Sequence, residues 1–194
     1  MFRRLILPLV LAFSLAVPSV ALAAQAEDFM KDKHAELATL VKQNQDKKLE
    51  AMFDEVLDYD ALAKASLGDE WDARTAEERA EFQKLLTQLV RAAYRKNLKK
   101  TADYEVTFKG EEPGKGGILV RTEAKSRKNA REEAITIDYL MHQVDGKWRI
   151  RDIVTEGSSM VANYKSQFRR IIKKDGFPEL LKRLKNKVAK GDVS

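Results

Sequence analysis

The chain has no cysteine, and only two histidines, His34 and His142, in 194 residues. Neither a disulfide framework nor a thiol nucleophile is open to it, so stability must come from packing. No HExxH, no GxSxG and no Gly-rich loop closed by Lys-Ser or Lys-Thr occurs, which removes the common hydrolase and nucleotide-binding signatures. The one glycine-dense stretch, Gly114 to Gly117 within GKGG, reads as a hairpin turn from its strand-like neighbours. We expect a protein that is not an enzyme, with no catalytic residues, metal or cofactor. Long apolar runs are also missing after the first two dozen residues, so no later segment reaches the roughly 20 apolar residues of a membrane-spanning helix.

What is present begins with an export signal. Arg3 and Arg4 form a positive start, Leu5 to Val17 an apolar centre broken by Pro8, and Ala21-Leu22-Ala23 a small-residue cleavage site. The expected division is a cleaved leader at 1–23 and one domain at 24–194, a length that suits a single core. The predicted location is the periplasm.

Charge is modest. The formal net charge of +6 loses the two charges of Arg3 and Arg4 with the leader, leaving +4, and acids and bases alternate along most of the chain. No nucleic-acid partner is expected. Bases gather only near the C-terminus, at Lys165, Arg169, Arg170, Lys173, Lys174, Lys182, Arg183, Lys185, Lys187 and Lys190. Such a face fits a solvated helix surface, anionic lipid headgroups or an acidic partner.

Apolar spacing predicts the elements. Residues 27–57 carry a helical period, with a break near Asn44 to Asp46. Asp58-Tyr59-Asp60 offers a cap for a short helix over 61–67 that Gly68 stops. Thr75 and Glu78 make a capping box that opens the longest helix, about 76–99, with Leu86, Val90 and Tyr94 on its stripe. The period then falls to two. Val106 and Phe108, then Ile118, Val120 and Thr122, then Ile135, Ile137 and Tyr139 alternate with polar residues, and a last strand at 147–155 contains Ile150. Asp145-Gly146 is a strong hairpin turn. Each link is short and none holds a crossover helix, so a four-stranded antiparallel sheet follows. Val161, Tyr164 and Phe168 belong to the next helix stripe, and Phe177 to Val188 to a final helix. Helices, sheet, then helices predict an α+β domain with the helices packed on one curved sheet.

The chain resembles the MlaC family, also called the toluene-tolerance auxiliary family. The likeness lies in Leu57-Asp58-Tyr59-Asp60 through Ala63 and Ala65 to Leu67-Gly68 and Trp71. It continues in Thr75-Ala76-Glu77-Glu78-Arg79 with Phe82, Leu89, Val90 and Tyr94, and in Asp138-Tyr139 before Gly146-Lys147-Trp148. It is densest in Asp152-Ile153-Val154 through Glu156-Gly157-Ser158 to Asn163-Tyr164-Lys165-Ser166-Gln167-Phe168. The family more often has arginine where Lys165 stands, and the N-terminal helices match only in amphipathicity, which leaves the partner surface open.

The resemblance implies a deep apolar cavity for phospholipid, with the headgroup towards solvent. It implies a monomeric carrier of the ABC-type lipid transport system that maintains outer-membrane lipid asymmetry, exchanging lipid between an outer-membrane lipoprotein complex and an inner-membrane complex whose cytoplasmic subunits hydrolyse ATP. The candidate lining is then Leu86, Val90, Tyr94, Val106, Val120, Ile135, Ile137, Tyr139, Ile150, Val161, Tyr164 and Phe168, each of which also fits a closed core. The amides of Gly157, Ser158 and Ser159 are headgroup candidates, against ordinary helix capping. Asp152 and Glu156 are expected to pair with Arg149, Arg151 or a helix lysine. Two other readings remain: a periplasmic binding protein or enzyme acting on another small apolar molecule through Asp60, Asp152, Glu156 or Tyr139, and a basic adaptor with a dry core.

Overall fold

The structure is a computed structural model that describes residues 20–101 and 103–191, with side chains described for 25–95 and 103–191. Residues 1–19 of the expected leader lie outside the described residues.

The first helix, α1, spans Val20–Lys42, and α2 spans Asp46–Val56. The break falls where the spacing put it, on Asn44 at φ 50°, a residue type that tolerates the left-handed region. Asp58 then caps α3 (Tyr59–Leu67), its carboxylate accepting from the Ala61 amide at 2.8 Å, and Gly68 at φ 57° ends it. A 3₁₀ turn over Gly68–Glu70 follows, which the spacing did not suggest. The capping box forms as expected at the head of α4 (Ala76–Thr101). Glu78 N donates to Thr75 Oγ1 at 3.2 Å, and Thr75 N donates to the Glu78 carboxylate at 2.9 Å.

Four long strands come next: β1 (Tyr104–Gly114), β2 (Gly117–Ser126), β3 (Ile135–Val144) and β4 (Lys147–Thr155). They pair antiparallel in chain order. Asp145 and Gly146 turn β3 into β4 with φ of 51° and 74°, both positive as a two-residue type I′ turn requires. Near that same end of β3, nothing but glycine fits at 117, because a side chain there would run into the Met141 carbonyl oxygen.

The strand count needs correction from four to five. Glu156 and Gly157, at φ 49° and 72°, fold the chain straight back, and Ser158–Ser159 (β5) pairs with Thr155 and Val154 at the edge of β4. Two residues carry no visible alternation, so no period could announce this strand. Helix α5 (Met160–Asp175) starts immediately, Gly176 at φ 84° reverses the chain, and α6 (Phe177–Lys190) returns with Pro178 in its first turn.

The strand register puts the predicted inward residues on one face. Val106 lies beside Ala124, Ala124 beside Ile135, Val120 beside Tyr139, and Met141 beside Ile150. Helix α1 packs across β1 and β2, while α2, α3 and α5 pack on β4. Beyond them α4 and α6 close a helical layer. Its centre is Phe82, wholly buried, with Phe168 edge-on at 5.5 Å and Phe177 at 6.3 Å. Among the described residues no helix is long and apolar enough to cross a membrane.

Candidate functional site

A cleft of about 620 Å³ opens where the apolar face of the sheet runs out beyond α1. Its wall on β4 is Ile153 and Thr155; α5 contributes Met160, Tyr164, Phe168 and Ile171; α4 and α6 close it with Leu89, Leu180 and Leu184. Ser158, Asn163, Gln167, Arg183 and Lys187 supply polar groups around it. This size is within the roughly 300–1,000 Å³ usual for small-molecule sites, and an apolar lining with a few polar groups is their usual chemistry.

Local sequence explains each wall. A register shift between Leu140 and Met141 gives β4 an extra residue, so Ile153 follows Ile150 onto the inner face after three positions rather than two. On α5, Met160, Tyr164, Phe168 and Ile171 recur at three and four residues, which makes one helical face. Tyr164 and Phe168 stack at 5.4 Å and 11°, and burial pushes the Tyr164 phenol above its ordinary pKa. The tight turn at Gly176 lays α6 back along α5 and brings Leu180 and Leu184 to the cleft.

The start of α5 is fixed by a buried carboxylate. Asp152 accepts from Ile153 N at 2.8 Å, from Val161 N at 3.0 Å and from the Ser159 hydroxyl, while Ser159 Oγ itself accepts from Ala162 N at 2.9 Å. Two of the free amides at this helix end are thereby occupied, and the negative charge sits where the helix dipole favours it. This corrects the expected pairing of Asp152 with an arginine or lysine: its partners are a hydroxyl and amides. Glu156 likewise bonds to the backbone N and hydroxyl of Thr136 rather than to a base.

Of the predicted lining, Tyr164 and Phe168 lie in the cleft. Leu86, Val90, Val120 and Ile150 are closed core, at 2%, 6%, 0% and 4% exposure. Tyr94 stacks on Phe53 of α2 at 4.3 Å, away from the cleft. Tyr139 lies under α1, edge-on to His34 at 5.8 Å, and burial raises its phenol pKa strongly. Val106, Ile135 and Ile137 are half-buried on the same sheet face, and Val161 is half-buried at the start of α5. Of the headgroup candidates, Ser158 lines the cleft and its hydroxyl accepts from Asn163 Nδ2 at 3.0 Å; Ser159 is the helix cap; Gly157 is exposed in the turn.

Of the residues missed by sequence reasoning, Ile171, Leu180 and Leu184 carried a signal in the stripes of the last two helices, whereas Ile153 lies on β4. What the stripes lacked was the turn angle at Gly176 and the phase change in β4. The acids proposed for catalysis do not converge on the cleft. Asp60 is exposed and bonded to Gln83, Asp152 and Glu156 are bound as above, and neither these nor Tyr139 lines it. No group of three or more His, Asp or Glu among the described residues is placed to hold a metal ion.

The fold and the cleft define a class: a single α+β domain with a ligand-sized apolar recess between a meander sheet and its C-terminal helices. The family model described as MlaC protein matches residues 21–186, and the chain belongs to the MlaC family. Among solved structures it is similar to a phospholipid-binding protein from Ralstonia solanacearum in complex with a phospholipid. The TM-score is 0.73 at 20% identity, covering 86% of this chain and 98% of that one. No curated protein matches the chain.

Proposed function

We propose that this protein is a periplasmic phospholipid carrier, exported by its N-terminal leader and without catalytic activity. The observation that carries the reading is the cleft of about 620 Å³ with its aliphatic and aromatic walls and polar rim, in a chain of the MlaC family. The Ralstonia solanacearum protein of the same fold was solved with a phospholipid, which supports the same cargo here.

Transfer thermodynamics states what such a carrier must supply. Exposing one acyl methylene to water costs about 0.8 kcal/mol, so two chains of roughly 15 methylenes cost on the order of 24 kcal/mol. The protein offers Ile153, Met160, Tyr164, Phe168, Ile171 and Leu184 as the replacement for the bilayer interior. The headgroup stays at the polar rim, near Ser158 and Asn163. Of the sequence-derived lining, the half-buried Ile135, Ile137, Val161 and Tyr164 are the positions best placed to follow a chain along the sheet face. Directional release needs a docking event that opens the cleft, because spontaneous release meets the full solvent cost. That event is contact with an inner-membrane ABC-type complex or an outer-membrane lipoprotein complex, with the protein travelling between them as a monomer.

The test is native mass spectrometry of protein purified without detergent, followed by extraction of bound lipid. Stoichiometric phospholipid in the wild type, lost in Ile171→Glu while the fold is retained, is the expected result. A homogeneous species without lipid in the wild type would overturn the carrier reading.

A further inference from the structure

The two faces of α5 differ sharply. One lines the cleft; the other carries Lys165, Arg169, Arg170, Lys173 and Lys174, all exposed. None of these five takes part in an ion pair or side-chain hydrogen bond among the described residues, whereas cations of the neighbouring helix are tied down. Lys182 lies 3.7 Å from Glu179 and Arg183 2.9 Å from Asp175. Lys185 reaches Glu81. The one acid of α5, Asp175, is the residue Arg183 takes. Between the α5 cations runs an open depression of about 500 Å³, floored by Ala162 and Ser166 and edged by Lys165, Arg169, Arg170 and Lys173.

We propose that this face of α5 docks on an anionic bilayer surface and so presents the cleft to the membrane. Protein–protein interfaces concentrate their energy in buried aromatic and aliphatic anchors and deplete lysine from their centres. Here the exposed arc holds five cations, alanine and serine, with no aromatic or large aliphatic anchor. A plane of lipid phosphates needs no anchor: each basic residue near it adds attraction without a fitted socket. The small floor residues let phosphate oxygens approach between the long basic arms. Position supplies the reason for such contact, since the cleft lies across the same helix, one diameter of about 10 Å away. The inference uses the lipid-carrier reading for its purpose and the charge distribution for its physics.

Sedimentation with phosphatidylcholine vesicles, with and without phosphatidylglycerol, tests it at low and high salt. The variant is Arg169→Gln, Arg170→Gln, Lys173→Gln and Lys174→Gln combined; Lys165 is kept because its stem packs against Gly68. The control is Lys182→Gln with Lys185→Gln. Wild type should bind only the anionic vesicles and be released by salt, and the quadruple variant should bind at least about 100-fold more weakly, at about fivefold per charge. The control should stay within about threefold of wild type. If the quadruple variant loses its circular dichroism signal, Arg169→Gln alone should still show the fivefold loss. Wild type that ignores anionic vesicles, or binds neutral ones equally, overturns the proposal. So does retention only by membranes carrying reconstituted protein complexes, which assigns the face to an acidic protein. Extraction of lipid from the same preparations keeps the readings separate: a lipid-loaded protein blind to vesicles sinks this inference alone, and an empty one that binds vesicles sinks the carrier reading.

Discussion

The two ends of one sheet face are built from the same residue types and end in different states. Where α1 and α2 cover it, Val120 and Met141 are wholly buried and Ile150 is 4% exposed. Where β4 meets α5, Ile153, Tyr164 and Ile171 stay half-exposed around a cleft. Hydrophobicity alone does not separate core from recess. Cover does: the closed end has a helix laid flat across it, and at the open end the Gly176 turn places α6 beside α5 instead of over the sheet. A ligand of matching apolar surface completes the open end in the way α1 completes the closed one.

The sharpest way to break this comparison is to remove bulk from the sealed side. Phe82→Ala should lower the stability of the fold by about 3–5 kcal/mol, read as a fall in the urea midpoint, because it leaves a cavity between the rings of Phe168 and Phe177. On the open side Ile171→Glu should leave stability within about 1 kcal/mol yet reduce the lipid load about tenfold or more, since the carboxylate reaches water when the cleft is empty and meets acyl chain when it is full. Val90→Glu, by contrast, should fail to fold, because Val90 is closed core.

Acid should discriminate the ends as well. His34 on α1 is wedged edge-on between Phe108 and Tyr139, at 5.4 and 5.8 Å, and burial lowers its pKa from the ordinary 6.5. Well above pH 6.5 it is neutral in both folded and unfolded chains and contributes no pH dependence. As the pH falls below 6.5 the unfolded chain takes up a proton that the folded one refuses, so stability is lost, by at most about 1.4 kcal/mol per pH unit. His34→Phe keeps a ring in place and should abolish the part of the slope just below pH 6.5; equal slopes in parallel melts would show that the covered end does not sense this group. The smallest effect is expected far from both ends, at the head of α4, where Thr75→Ala should cost about 1 kcal/mol in thermal stability and leave the lipid load unchanged.

Much of this arrangement was legible in the sequence because it is local. The capping box of Thr75 and Glu78, the Asp58 cap, the Asp145-Gly146 turn and the glycine stop at 68 each act within a few residues, and each formed where the spacing placed it. The common face of Val106, Val120, Ile135, Ile137, Tyr139 and Ile150 followed from a period of two. The fifth strand escaped because Glu156 adopts a positive φ without being glycine, held there by a strand partner, Thr136, twenty residues back. The extra residue in β4 escaped for a similar reason: its effect on Ile153 depends on pairing with β3, not on neighbours in the chain. The cleft is a product of both, together with the angle at which α6 returns, and only two of the twelve predicted lining residues, Tyr164 and Phe168, fall within it.

The long reach of the N-terminal helices has a kinetic consequence. Glu27 N donates to the Glu111 carboxylate and Asp58 meets His142, each across 84 residues, whereas the sheet itself is a run of neighbouring hairpins. Closing a loop of that size is slow compared with zipping adjacent strands. Helix α1 is thus the segment that finds its place late, after β1 and β2 exist to receive it, and pulsed hydrogen exchange should show α1 gaining protection behind the hairpins. Until α1 lands, the folding chain exposes the length of its apolar sheet face, and the interval before docking is when it is most open to aggregation or to a chaperone's grip.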